Sequence, residues 1–225
     1  MINSTVIDID KNECCERAME LFLDESGCGK EGAKFDRMRA EAFEIRNIIE
    51  PRIDVKGVYS TYDVFNLNGQ ILEVNGVQFT CTAFEQIAEE SIEKVIFYAV
   101  TAGDYYLEDR PIMQQLYADI WGTSFTDAIR GIFMDQLKTE YIMSDSFGPG
   151  FYGMDVAEMQ KMPRMVDFAA LDMSVKESSI ILPLKSCAGI LFAVNEKYVP
   201  INNACQLCLG SKKTCTLCSI RNHVI

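Results

Sequence analysis

Apolar positions recur at steps of three and four near the start of the chain. Cys15, Ala18, Met19 and Phe22 share one helical face, and Asp10 followed by Glu13 reads as a capping box that opens it. Glycines in the stretch 26–32 interrupt the pattern. It resumes with Phe35, Met38, Ala42, Ile45 and Ile49 until Pro51 stops it. Two amphipathic helices joined by such a turn predict a helical hairpin over residues 1–50. The pattern then changes. Val55, Val58, Tyr59, Tyr62, Val64 and Phe65 favour strand, and Asn66-Leu67-Asn68-Gly69 reads as a turn. Asn75-Gly76, between Ile71-Leu72-Glu73-Val74 and Val77-Gln78-Phe79, is a hairpin signal. Residues 82–91 read as helix. The nearly continuous apolar run 94–101 is expected of a central strand that Gly103 ends.

Pro111 predicts a helix start over 111–118. Trp121-Gly122-Thr123-Ser124 then opens a longer helix that carries Phe125, Ile129, Ile132 or Phe133, and Leu137 on one face. A glycine-rich loop over 144–153, a helix over 155–171 interrupted near Pro163, and strands over 178–182 and 188–194 complete the pattern. Hairpins and helices without strict βαβ alternation predict an α+β fold. The economical division is one domain over 1–200 and a cysteine-rich tail over 201–225.

Composition narrows the function classes. With 225 residues, 48% hydrophobic and 24% charged, the chain can bury a core without staples, which excludes disordered and disulfide-miniprotein classes. A net charge of −12 argues against a nucleic-acid partner. No apolar run approaches a membrane span, and no signal peptide is visible, so a soluble, cytoplasmic protein is expected. His223 is the single histidine, which leaves no histidine-based triad and shifts the hard chemistry to a cofactor. Ser26-Gly27-Cys28-Gly29-Lys30 lacks the spacing of a phosphate loop.

Nine cysteines is a high count. Cys14, Cys15, Cys28, Cys81 and Cys187 are dispersed and read as small core residues, Cys28 being the one placed in a loop. Cys205-Gln206-Leu207-Cys208 and Cys215-Thr216-Leu217-Cys218 are two Cys-x-x-Cys pairs, whose four thiolates suit tetrahedral zinc or an iron–sulfur cluster. Their compact separation leans towards iron–sulfur, because zinc ribbons usually space their pairs by about 15–20 residues.

Phe147-Gly148-Pro149-Gly150-Phe151-Tyr152-Gly153 is the second chemical signal. Glycines let a ligand approach the backbone and aromatics offer a stacking surface, but the residues alone fit a tight turn with two core aromatics at least as well. Three blocks give the loop a context. They are Val95-Ile96-Phe97-Tyr98-Ala99-Val100-Thr101-Ala102-Gly103, then Ala118-Asp119-Ile120-Trp121-Gly122-Thr123-Ser124. The third is Pro149-Gly150-Phe151-Tyr152-Gly153 with the later Val175-Lys176-Glu177-Ser178-Ser179-Ile180-Ile181-Leu182-Pro183-Leu184-Lys185-Ser186. Together they resemble the reactivation (activation) domain of cobalamin-dependent methionine synthase, and more closely its free-standing relatives.

The resemblance implies an activation-domain-like α+β fold, a mixed or antiparallel sheet with flanking helices. It implies binding of S-adenosylmethionine and support for reductive methylation of a Co(II) corrinoid, in activity related to a methyltransferase. Carried over by position, Gly148, Pro149, Gly150, Phe151, Tyr152 and Gly153 would line the ligand site, and Asp127 would face the ligand's ammonium unless it is a solvated acid near a helix start. Glu177 and Lys185 also match family positions. Where the full-length synthase has an arginine ahead of the loop, this chain has Asp145-Ser146-Phe147. No arginine is therefore expected near the ligand, and Asp145 would repel its carboxylate.

The implied partner is a corrinoid protein or cobalamin-dependent methyltransferase that supplies the corrinoid, with an electron donor protein beside it. Under this reading Cys205, Cys208, Cys215 and Cys218 hold a cluster that relays the electron. The alternatives are a non-catalytic corrinoid-protein partner with a structural zinc tail, and an unrelated iron–sulfur electron carrier. The metal separates the first two, since zinc is redox-inert.

Overall fold

A computed structural model describes residues 2–201 and 207. Strand β1 (Thr5–Ile7) is followed by helices α1 (Lys11–Glu25) and α2 (Ala33–Ile49), then strands β2 (Lys56–Tyr62), β3 (Phe65–Asn68), β4 (Ile71–Val74) and β5 (Val77–Thr80). Strand β6 (Ile92–Gly103) leads into helix α3 (Ile112–Leu137), and β7 (Ser174–Val175), β8 (Ile181–Leu182) and β9 (Lys185–Val194) finish the described chain. The main sheet has the order β1-β2-β6-β9 and is antiparallel throughout. β3-β4-β5 form a second sheet and β7-β8 a third. The fold is α+β, with antiparallel sheets and flanking helices.

The long strand β6 is apolar on both faces because both faces are covered. Val95, Phe97 and Ala99 point into a core with Leu72, Phe79, Phe84 and Met162. Ile96, Tyr98, Val100 and Ala102 point the other way, into a core built from α1, α2 and α3. Trp121 locks this helical layer. Its ring stacks on Phe22 with centroids 3.8 Å apart, and its indole N–H donates to the Ala42 carbonyl at 2.9 Å.

Several elements match the sequence expectation for the stated reason. Asp10 caps α1 by accepting from the Glu13 N–H at 2.8 Å. Asn75 and Gly76 both have positive φ, as a tight two-residue hairpin turn requires. Other elements differ. The helices of the 1–50 segment each pack mainly on α3 rather than on each other. The 66–69 segment is strand up to Asn68, because Leu67 must face the core opposite Leu72, and the chain turns only after it. β1, only three residues long, has too little alternation to be seen in the sequence.

The expected helix over 82–91 is two 3-10 turns, Thr82–Gln86 and Glu89–Ser91, separated by extended Ile87 and Ala88. Residues 155–171 likewise form 3-10 segments, Val156–Arg164 and Phe168–Leu171, capped by Asp155 and Asp167. The strand over 178–182 shrinks to Ile181–Leu182. The two helices read around residue 120 are one, so Asp127 lies mid-helix. The hydroxyls of Thr123, Ser124 and Thr126 bond to carbonyls four residues back instead of capping a new helix. Among the described residues, no helix is long and apolar enough to cross a membrane.

Candidate functional site

The 147–154 loop is built from two consecutive turns. Phe147 bridges to β9 by exchanging hydrogen bonds with Ile190, donating at 2.8 Å and accepting at 2.7 Å. The Gly148 carbonyl then accepts the Phe151 N–H at 2.9 Å. Pro149 and Gly150 sit at the centre of that turn, and Gly150 has φ +96, the pattern of a type II turn. The Phe151 carbonyl accepts the Met154 N–H at 2.9 Å, with Tyr152 and Gly153 both at positive φ. Outside the loop, Ala83 donates its N–H to the Tyr152 carbonyl at 3.1 Å. Phe147 and Tyr152 pack edge-to-face, 5.0 Å between centroids, whereas Phe151 stays 67% exposed.

A cleft of about 490 Å³ opens between this loop and α3. The loop contributes Ser146, Gly148, Pro149, Phe151 and Tyr152, and α3 contributes Asp127 and Arg130. Tyr98 of β6 and Ser186, Cys187 and Ala188 of β9 line the space between, with Met159 and Ile181 at the apolar side. Gly189 stands opposite Tyr98 in the sheet register. A Cβ there would lie 2.8 Å from the Phe147 carbonyl oxygen and 2.9 Å from the Tyr98 ring. Its bareness lets Tyr98 lie across β9 and share a 2.7 Å hydrogen bond with the Ser146 hydroxyl.

Electrostatically the cleft is neutral except at one place. Burial raises the Tyr98 phenol well above its ordinary value. Burial also pushes the half-buried Cys187 thiol up to about 12; Arg130 opposes the rise and Asp127 adds to it. Both groups are therefore uncharged at neutral pH, and the thiol is not a nucleophile. Asp127 and Arg130 pair at 3.3 Å. The arrangement supplies shape, an aromatic face and one charge pair, which suits binding and orientation rather than proton transfer.

Burial raises two further thiols from the ordinary 9.0, Cys14 to about 12 and Cys81 to about 11. Unfolded thiols lose their protons near pH 9, while the folded ones keep theirs to 11 or above. The folded state thus binds more protons in that window, and stability falls as pH rises through it. Urea midpoints are expected to hold steady from about pH 7 to 9 and fall beyond. Cys81→Ala should flatten part of that fall; an unchanged slope would refute the assignment.

Of the residues singled out from the sequence, Asp127, Gly148, Pro149, Phe151 and Tyr152 meet on the one cleft. Gly150 and Gly153 shape the turns behind it without lining it. Asp145 corrects an expectation. Its carboxylate accepts from the Tyr198 hydroxyl at 2.8 Å, the Ile201 N–H at 2.9 Å and, with its other oxygen, the Tyr152 hydroxyl at 3.5 Å, so it ties the chain after β9 to the loop and does not itself line the cleft. Arg130 corrects another, since an arginine does reach the cleft, one turn beyond Asp127 on α3. Cys187 lines the cleft while packing, half-buried, against the helical core, and Cys14, Cys15, Cys28 and Cys81 are buried as expected.

The three blocks of the sequence also converge. Ser186 donates to the Thr101 hydroxyl at 2.7 Å, and Lys185 pairs with Asp119 at 2.6 Å. Glu177 is exposed between β7 and β8. Cys205, Cys208, Cys215 and Cys218 lie outside the described residues. Among those described, no group of three or more histidine, cysteine or acidic side chains is placed to hold a metal ion.

No protein-family model and no curated protein matches the chain. Among solved structures, the crystal structure of the MetH reactivation domain bound to AdoHcy is similar, at 14% identity and a TM-score of 0.54. The match covers 88% of this chain and 81% of that one. At this identity the likeness is one of architecture: the chain has the fold of the MetH reactivation domain.

Proposed function

We propose that the cleft binds S-adenosylmethionine, and that the chain is a free-standing reactivation protein for a corrinoid carried by a separate protein. The observation that carries this reading is the meeting of Asp127 with Gly148, Pro149, Phe151 and Tyr152 on one cleft. The fold is that of a domain crystallised with AdoHcy. The volume falls within the usual range for small-molecule sites, roughly 300–1,000 Å³. In the reaction, an electron from a donor protein reduces Co(II) to Co(I). The Co(I) electron pair then bonds to the methyl carbon of the sulfonium. The carbon–sulfur bond breaks with its electrons left on sulfur, giving methylated Co(III) corrinoid and AdoHcy.

The chain's own part is positional. The turn at Pro149 and Gly150 leaves Phe151 free to stack on a planar base. Tyr98 and Ser146 hold the loop to the sheet, and the apolar side of Met159 and Ile181 keeps water from the ligand. Cys205, Cys208, Cys215 and Cys218 are proposed to hold an iron–sulfur cluster, which would supply an electron when present.

Calorimetric titration tests the reading. AdoHcy is expected to bind with one site per chain. Phe151→Ala should weaken it about tenfold, the size of one lost base–aromatic stack, without changing the melting temperature, since the ring is exposed. Absence of binding to the unaltered protein would overturn the reading.

A further inference from the structure

We propose that Arg130 takes the carboxylate of the ligand's amino-acid end, beside Asp127, which the sequence resemblance already sets against the ammonium. This rests on the reading of the cleft as a site for an adenosylated amino acid. Among the described residues that line the cleft, these two alone are charged; the others are aromatic, aliphatic, glycine, hydroxyl or thiol groups. Recognition of a zwitterion there falls to this pair.

Their mutual contact is weak and incomplete. One guanidinium nitrogen meets one carboxylate oxygen at 3.3 Å, and among the described residues neither side chain makes another hydrogen bond. A planar guanidinium has a second edge suited to a bidentate carboxylate, and the free aspartate oxygen suits an ammonium. Both side chains are partly exposed, at 37% for Asp127 and 43% for Arg130, so both remain accessible to a ligand.

The surroundings favour the same use. Neutral Tyr98 and Cys187 lie beside the pair and offer it no counter-charge. Lys185 is engaged with Asp119 at 2.6 Å, and Glu25, which accepts from the Ser124 hydroxyl at 3.4 Å, sits close enough to Asp127 for the two carboxylates to repel, which favours a cation at Asp127. Asp145, on the loop, is occupied by Tyr198, Ile201 and the Tyr152 hydroxyl. The cation for the ligand's carboxylate thus comes from the helix rather than from the segment ahead of the glycine loop. The spacing of three on α3 sets ammonium and carboxylate recognition side by side, as an α-amino acid presents them.

Two ligands separate the possibilities. AdoHcy carries the amino-acid end, and 5′-methylthioadenosine is the same adenosyl thioether without it. The unaltered protein should bind AdoHcy at least tenfold more tightly than 5′-methylthioadenosine. Arg130→Gln should remove that preference, lowering AdoHcy affinity at least tenfold and leaving 5′-methylthioadenosine within twofold. Asp127→Asn should act in the same direction with a smaller effect, and Arg130→Lys should recover part of the loss. Melting temperatures within about two degrees of the unaltered protein would establish that these variants are folded.

If Arg130→Gln keeps the preference, or weakens both ligands equally, the pair does not read the amino-acid end although the cleft still binds the adenosyl group. If the unaltered protein binds neither ligand, the ligand class itself is wrong and the proposal goes with it.

Discussion

Trp121→Ala is expected to lower the stability of the protein by about 3–5 kcal/mol, the range for deleting a fully buried aromatic. Trp121 is completely buried, stacked on Phe22 and Phe125 and tilted against Phe43. Its loss opens a cavity where α1, α2 and α3 meet and leaves the Ala42 carbonyl without its donor. An orphaned acceptor in a dry core adds to the cost of the cavity. Trp121→Phe keeps most of the volume and part of the stacking, so its cost should be clearly smaller. Urea denaturation of both variants checks the ranking. Equal losses would mean that the indole hydrogen bond, and not packing, dominates.

Gly189→Val should have the second largest effect, and it acts on the cleft. The register sets Gly189 against Tyr98, and the bridge between Phe147 and Ile190 runs beside it. An added side chain meets the Phe147 backbone at 2.8 Å, which cannot rotate away as a side-chain end could. The loop has to lift or Tyr98 has to leave Ser146. Overpacking of this kind costs about 1–3 kcal/mol, and AdoHcy affinity should fall more than tenfold with it. Tyr98→Phe is the control. It removes only the hydroxyl contact to Ser146, so it should lower affinity modestly and keep the loop in place. A Gly189→Val protein that binds AdoHcy normally would show that the loop has no role in the cleft.

What could be read from the sequence follows the range of the forces involved. The α1 cap, the Asn75-Gly76 turn and the apolar run of β6 depend on neighbours a few residues away, and each stands in the structure. The 3-10 segments did not show themselves, because apolar spacing of three fits a 3-10 turn and an α-helix alike; Phe84 and Ile87 are an example. The continuity of α3 was hidden by Gly122 and three hydroxyl residues that look like a helix start. At the cleft, the glycine loop and Asp127 were legible as local motifs. Arg130 was not, because its importance comes from the docking of α3 beside β9. Gly189 was equally silent, since a lone glycine in a strand reveals nothing until its cross-strand partner is known to be Tyr98. Asp145 gave a misleading signal for the same reason: two of its three partners, Tyr198 and Ile201, lie more than fifty residues away.

The pairing of β6 with β9 has a consequence for the time course of synthesis. Ile92 stands opposite Val194 and Gly103 opposite Lys185, with α3 and the glycine loop in the intervening chain. A ribosome must release the chain beyond residue 194 before the middle of the sheet can close. Contacts so distant in sequence form late, because the loop between them must first be closed at an entropic cost. The helices have no such wait; α1, α2 and α3 can gather on one face of β6 while β9 is still being made. Until then β6 offers a long apolar edge to other chains, and a nascent chain halted before residue 185 should aggregate. The cleft is then a late part of the described fold to be born, completed only when β9 carries Ser186 and Cys187 to their places beside α3.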